Sequence, residues 1–344
     1  MHFGIFQSAQ WPMGSNQREQ LLNAAEQSVL AEALGFQSVF MTEHHFSRHG
    51  IVSDNLAMLA YIAAKTSRIR LGTAVSVLPL HNPMRLAESV ALVDLLSNGR
   101  VDFGIGRGYQ WGEFHGFDVE LGDRAAMFEE AIHVIVRAWC DDLPFSHSGR
   151  YWKYHNATPQ PRPLQRPHPP IWMATTSNDG FQTCVENDWG IMLPQAVSLA
   201  TIKKWLGSYK NACDRAAKPF EATKIILARG LYTATTHDEA WATAGDPYRQ
   251  FLQLAQEVAR APSGKAAGLS FDNDNIAEAT LIGSAERCAD QLDEIRNIGI
   301  ENVIFFCNMG GLRDREVVAS MQLFAQDVMP KFSDAKPSAS DPIA

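Results

Sequence analysis

Eight short apolar runs, rich in Val, Ile and Phe, recur along the chain at residues 3–6, 38–41, 69–78, 101–105, 171–174, 190–193, 224–232 and 302–307. Runs this short and continuous have the character of strands buried on both faces. Between most of them lie longer segments with helical spacing, over 17–34, 55–65, 85–96, 124–139, 199–216, 238–261, 285–297 and 313–328. Strands that alternate with helices build a parallel sheet, and eight such units are the number that closes a barrel. The expected fold is therefore α/β, a (β/α)8 TIM barrel with loop insertions. An open, doubly wound sheet is the alternative, since a sequence carries no direct sign of closure.

The punctuation agrees. Gly35, Gly99 and Gly299 each follow a helical segment as stop signals, and Asp54 and Ser284 stand where helix N-caps belong. At about 150 residues per domain, 344 residues would make two domains. A barrel absorbs that length alone, so residues 1–330 are expected as a single barrel domain. Two stretches break the rhythm. Residues 141–170 read as a loop-like excursion, with Ser148-Gly149-Arg150 as a turn and six prolines between Pro159 and Pro170. Residues 261–280 hold Gly264, Gly268 and a cluster of Asp and Asn, as a mobile lid would. The polar residues 331–344 are expected to fray.

With 46% hydrophobic and 20% charged residues, the chain has ample material for a large core. A net charge of −8 without a basic patch argues against nucleic acid and anionic membranes as partners. No apolar run reaches the roughly 18 to 20 residues of a membrane span, and the N-terminus lacks the pattern of a signal peptide. The five cysteines are scattered, with no Cys-x-x-Cys pair, which argues against disulfides and structural zinc. A reduced, cytoplasmic enzyme is the expectation.

A barrel enzyme builds its active site just past the C-terminal ends of its strands. That filter selects Thr42-Glu43-His44-His45-Phe46, the stretch from Val77 to His81, Gly104-Ile105-Gly106-Arg107-Gly108-Tyr109-Gln110-Trp111, and Thr175-Thr176-Ser177-Asn178-Asp179. Tandem histidines beside a glutamate suit proton transfer near neutral pH. Their order does not supply the His-Glu-x-x-His pattern of a zinc protease, and no metal is expected. Three glycines around Arg107 let backbone approach a ligand, and the guanidinium offers a fork for phosphate; the plain alternative is glycine turns with a surface Arg. Hydroxyls at the start of a helix form an anion site, although N-capping explains the same residues. Arg124 could reach the same phosphate, or be a solvated helix residue. Trp11, Phe46, Leu78, Trp111 and the 261–280 loop are expected pocket walls, pointing to an apolar or aromatic substrate. The segment 55–65 is apolar almost all round, which fits either a subunit contact or burial beneath a loop of the same chain.

Together, Met41-Thr42-Glu43-His44-His45-Phe46, Leu78-Pro79-Leu80-His81-Asn82-Pro83, Asp94-Leu95-Leu96-Ser97-Asn98-Gly99-Arg100, Phe103-Gly104-Ile105-Gly106-Arg107-Gly108, the proline-rich stretch and the closing Ser320-Met321-Gln322-Leu323-Phe324 resemble the bacterial luciferase-like flavin monooxygenases, over nearly the whole chain. The resemblance implies a (β/α)8 barrel that uses reduced FMN and O2, through a C4a-peroxyflavin, to oxygenate a small organic substrate. NAD(P)H would be the ultimate reductant, through a separate flavin reductase, and the chain would form a homodimer. His44 matches the family's catalytic histidine, with Glu43 and His45 in support. Ala74-Val75 matches a non-prolyl cis peptide beside the flavin ring. Arg107, Thr175 and Thr176 match phosphate-binding positions, with Arg124 a further candidate, and Tyr109 and Met173 flank the ring. Gly106 stands where light-emitting members carry Cys, and Thr175-Thr176 replaces a Glu-Ser pair, both of which point away from light emission. Rival readings on the same barrel are a deazaflavin (F420)-dependent dehydrogenase and a non-catalytic flavin-binding protein.

Overall fold

The computed structural model describes residues 1–142, 144–260 and 276–333. Its strands are β1 (His2–Gln7), β2 (Ser38–Met41), β3 (Arg70–Thr73), β4 (Ser76–Val77), β5 (Val101–Gly106), β6 (Phe145–Ser148), β7 (Lys153–Ala157), β8 (Ile171–Ala174), β9 (Gly190–Leu193), β10 (Ile225–Ala234), β11 (Thr280–Ser284) and β12 (Asn302–Phe306). The helices are α1 (Gln17–Leu34), α2 (Asn55–Ala63), α3 (Pro83–Leu96), α4 (Trp111–Gly116) and α5 (Arg124–Cys140) in the first half of the chain. The second half holds α6 (Asn178–Glu186), α7 (Leu199–Arg215), α8 (His237–Ala259), α9 (Ala285–Asn297) and α10 (Asp314–Asp327).

Parallel pairing runs β1, β2, β3, β5, β8, β9, β10, β12 and back to β1, a closed ring of eight strands. Closure disposes of the open-sheet alternative, because every ring strand is hydrogen-bonded on both sides. The run 69–78 divides into β3 and β4, the first pairing the start of β5 and the second its end. Strand β10 is buried along its whole length and is longer than its ring neighbours. Its second half overshoots the ring and pairs with β11, which takes no part in closure. The excursion carries an antiparallel hairpin, β6 and β7, where the sequence reads as loop. The loop expected over 261–280 falls outside the described residues for 261–275. The tail does likewise for 334–344, while Phe332 packs edge-on to Phe3 at 5.8 Å.

Local signals set the helix ends. Asn16, Asp54, Asn82 and Ser284 each cap a helix with a side-chain oxygen, satisfying first-turn N–H groups that have no intrahelical partner. Gly35 ends α1 at φ 91°, a left-handed conformation that costs other residues energy. Among the described residues no helix is long and apolar enough to cross a membrane.

The N-terminal ends of the strands are tied by hydrogen bonds between elements. Arg100 donates to the carbonyls of Ala63, Thr66, Ile69 and Ser97 and to the Thr66 hydroxyl. Arg70 grips Asp102 through two bonds of 2.7 Å. Glu32 accepts from the backbone of Ser67, Arg68 and Ile69. Asp94 accepts from the backbone and side chain of Gln165, which fastens the proline-rich excursion beneath the barrel.

Candidate active site

At the opposite end, where the strands finish, a cavity of about 360 Å³ opens into the barrel mouth. Its floor is apolar, with Phe6, Met192, Ile226, Ala228 and Ile304 rising from the barrel interior. Its charged groups come from the exits of β2 and β5, and the exits of β1, β8 and β9 add uncharged polar ones. The Ala74–Val75 peptide is cis, and both residues line the cavity.

Glu43 and His44 leave β2 in opposite duties. Glu43 is 2% exposed and accepts from His81 Nε2 at 2.8 Å, His45 Nε2 at 3.1 Å and the Val77 backbone N–H at 3.1 Å. Burial opposes its ionisation, yet the bonds from His45 and His81 outweigh that and hold its carboxyl below the usual range. Burial likewise opposes the charge on His81, and the bond to Glu43 reverses the balance and raises it. The two form an ion pair in which Glu43 is buried and His81 half-buried. Its contribution through His81 is complete below pH 6.5 and is lost as pH rises through the raised value. Its contribution through Glu43 is present above about pH 4.5 and is lost as pH falls through the lowered value. Urea unfolding of wild type against His81→Gln should therefore differ most between pH 4.5 and 6.5, and less at pH 9. A difference that stays flat from pH 6 to 9 would remove this ion pair.

His44 turns into the cavity. Its Nδ1 lies 3.1 Å from Glu113 Oε1 and 2.9 Å from the Gln110 side-chain amide. The Gln110 atom placed there is Nε2; the Glu113 oxygen calls for the proton on Nδ1, and the Gln110 contact is then favourable with the amide turned to present its oxygen. Nε2, without a hydrogen-bond partner among the described residues, is the nitrogen left for proton exchange. Glu113 is 2% exposed and also accepts from the His45 backbone N–H at 3.0 Å. The sequence reading misses Glu113, because it reaches His44 only through the short helix α4; an acid close behind the β5 exit was the available signal.

Across the mouth, Arg107 and Thr175, Thr176 and Ser177 share the cavity wall. Ser177 caps α6 by accepting from Gly180 N–H at 3.1 Å. Arg107 bonds Glu129 at 3.0 Å, while its Nε is buried with no partner among the described residues. An orphaned guanidinium N–H beside hydroxyls and a helix N-terminus fits an anionic group such as a phosphate. Gly106 and Gly108 make room: a Cβ at 106 would lie 2.4 Å from Val75, and one at 108 would lie 2.7 Å from Phe114 and Val77. Tyr109 and Met173 also line the wall, and burial pushes the Tyr109 phenol up to about 12, so it stays protonated.

Glu43, His44, Ala74, Val75, Arg107, Tyr109, Met173, Thr175 and Thr176 thus meet in one cavity, and His45 and Arg124 do not. His45 turns away against Phe117, ring centroids 4.7 Å apart, and Arg124 returns its guanidinium to the Leu121 carbonyl. The expected walls Trp11, Phe46, Leu78 and Trp111 also lie outside the lining. Trp11 is covered by Arg48 at 3.8 Å, Trp111 stacks on His115 at 4.5 Å, and Phe46 projects outward. Leu78 packs into the core.

Several known proteins resemble this chain in sequence or in fold. The oxygenase component of a flavin-dependent trigonelline monooxygenase from Acinetobacter baylyi is 28% identical, the alignment covering 98% of this chain and 97% of the relative. Monooxygenase RslO1 from Streptomyces bottropensis has a TM-score of 0.87 at 28% identity, over 97% of this chain and 100% of that one. The oxygenating constituent of 3,6-diketocamphane monooxygenase of Pseudomonas putida, solved with FMN, shares the fold at TM-score 0.82 and 16% identity, covering 97% and 99% of the two chains. An F420-dependent secondary alcohol dehydrogenase shares it at 0.77 and 18%, with the same coverage. The family model described as luciferase-like monooxygenase matches residues 1–302, and the chain belongs to that family.

Proposed function

We propose that the protein is the oxygenase component of a two-component, non-luminescent monooxygenase that uses reduced FMN and O2 on a small, largely apolar substrate. The observation that carries this reading is the pairing, within one cavity, of the His44–Glu113 dyad with the orphaned Arg107 guanidinium. Arg107, Thr175, Thr176 and the N-terminus of α6 would hold the FMN phosphate, with Ala74, Val75, Tyr109 and Met173 along the ring. When bound, reduced FMN supplies the two electrons that split O2, one oxygen atom entering the substrate and the other leaving as water. Glu113 fixes His44 with Nδ1 protonated, and Nε2 gives or takes the proton at the reacting centre. The apolar floor excludes water from that centre. A separate NAD(P)H-dependent flavin reductase would supply the reduced cofactor, in the cytoplasm.

The deciding experiment titrates the protein anaerobically with reduced FMN and with reduced deazaflavin, then mixes it with air. We expect tighter binding of FMN, and a return of the oxidised-flavin spectrum that is slower than in buffer. Preference for the deazaflavin, with no effect on the oxidation of reduced FMN, would favour a dehydrogenase instead.

A homodimer is part of the same proposal, with its contact moved along the chain. Leu56, Leu59 and Ile62 of α2 are buried within their own chain, so that helix presents little outward apolar surface beyond Tyr61. The exposed stripe belongs to α3, where Leu92, Leu95 and Leu96 are 49%, 40% and 65% exposed. Sedimentation at micromolar concentration is expected to give twice the chain mass for wild type and a single chain for Leu92→Glu/Leu96→Glu. A monomeric wild type would sink the contact.

A further inference from the structure

The charged and the uncharged groups of the cavity differ in one respect. Glu43 is bonded to His45 and His81 and Glu113 to His44, while Arg107 bonds Glu129 through a terminal nitrogen and keeps only its Nε free, the atom assigned above to the phosphate. Ser8 Oγ, Thr42 Oγ1, His49 Nδ1 and Gln195 Oε1 are buried with no partner among the described residues, and all four residues line the cavity. Buried polar atoms without partners cost stability, and their concentration around one space calls for a ligand that answers them.

Two of the four, Ser8 and His49, lie at the β1 exit and on the loop that follows β2, where the His49 ring meets that of His44. In the ring of eight, β1 lies diametrically opposite β8, whose exit carries the proposed phosphate grip. The His49 ring is 4.7 Å from that of His44 and stacks on Phe251 at 5.1 Å and 19°. Gly50 permits the grouping, because a Cβ there would come within 2.9 Å of both His44 Cδ2 and the Ser8 carbonyl. The loop is stapled in place: Ile51 N–H donates to Ala9, Trp11 N–H donates to Arg48, and Arg48 returns a bond of 3.1 Å to the Trp11 carbonyl. His49 is therefore positioned in advance, without help from a ligand. Burial, reinforced by repulsion from His44, pushes its pKa well below the usual value, so it offers one N–H and one bare nitrogen at neutral pH.

We propose that His49, backed by Ser8, is the recognition pair for the substrate: it hydrogen-bonds an uncharged oxygen, a hydroxyl or carbonyl, on a molecule that is otherwise apolar. The assignment rests on the reading above that the β5 and β8 side holds the flavin. Recognition by neutral donors and acceptors rejects analogues that lack the oxygen, because the site's polar atoms are then left buried and unmatched.

The test measures binding to the full chain by equilibrium dialysis, with and without FMN, using 4-ethylphenol, 4-ethylacetophenone, 4-ethyltoluene and 4-ethylbenzoate. Wild type is expected to bind the phenol and the ketone about ten-fold more tightly than the toluene or the benzoate. His49→Phe keeps the ring stacked on Phe251 and should weaken the phenol and the ketone about 10- to 100-fold, leaving the toluene within two-fold. His49→Asn, which restores a neutral donor and acceptor, should recover part of that loss. Equal phenol binding by wild type and His49→Phe, or tightest binding of the benzoate, would overturn the assignment. FMN binding, followed separately by quenching of its fluorescence, should be the same in all three proteins. Failure of wild type to bind FMN would sink the flavin reading instead, while the probes on the flavin-free chain still decide His49.

Discussion

His44→Ala is expected to bind FMN within about two-fold of wild type while forming oxygenated product roughly 10²- to 10⁴-fold more slowly, the usual worth of a positioned acid or base. The split follows from geometry. His44 stands at the β2 exit with Nδ1 committed to Glu113, whereas the proposed phosphate grip belongs to β5 and β8. Glu113→Gln should lose less, because a neutral amide can still accept from Nδ1 but no longer stabilises a positive imidazole. The double variant should then be no slower than His44→Ala alone, since the two act as a unit. Product formation by His44→Ala at the wild-type rate, measured with any probe that wild type oxygenates, would remove the dyad from the chemistry.

Arg107→Ala is expected to weaken FMN binding by about 10- to 100-fold, as loss of a charge-assisted bond to a phosphate should. Riboflavin, which has the same ring and no phosphate, should bind the variant and wild type alike. Glu129→Ala should change neither, because its pair with Arg107 is solvent-exposed and such pairs contribute little. If Arg107→Ala lost riboflavin and FMN equally, the residue would be supporting the wall and not gripping the phosphate.

The barrel strands are legible in the sequence because both of their faces are buried, which leaves continuous apolar runs such as residues 303–306 of β12. Strand β11 is not, because its cause is tertiary: it exists where β10 overshoots the ring and leaves an edge to be paired. The hairpin of the excursion is hidden for another reason. Strands β6 and β7 bury only Phe145, so neither alternation nor an apolar run announces them. Within the site, residues at strand exits are readable from position alone, as His44 and Arg107 are. Glu113 and the turning away of His45 depend on how α4 folds back over the β2 exit, a packing event with no local signature. His49 is visible as a histidine in a loop, but its burial and missing partner exist only in three dimensions.

The bonds of Arg100, Glu32, Asp94 and Gln165 make the two ends of the barrel unequal under mutation. These bonds lie beneath the strands, so a substitution in the loops above them leaves them in place, whatever it does to contacts at the mouth such as the Glu43–His81 pair. Chains built this way can accumulate changes at the mouth, trading one substrate for another, while the reserve that keeps them folded stays intact. The architecture is permissive at the end where chemistry is chosen and conservative at the end where it is not, and substrate range can drift faster than structure.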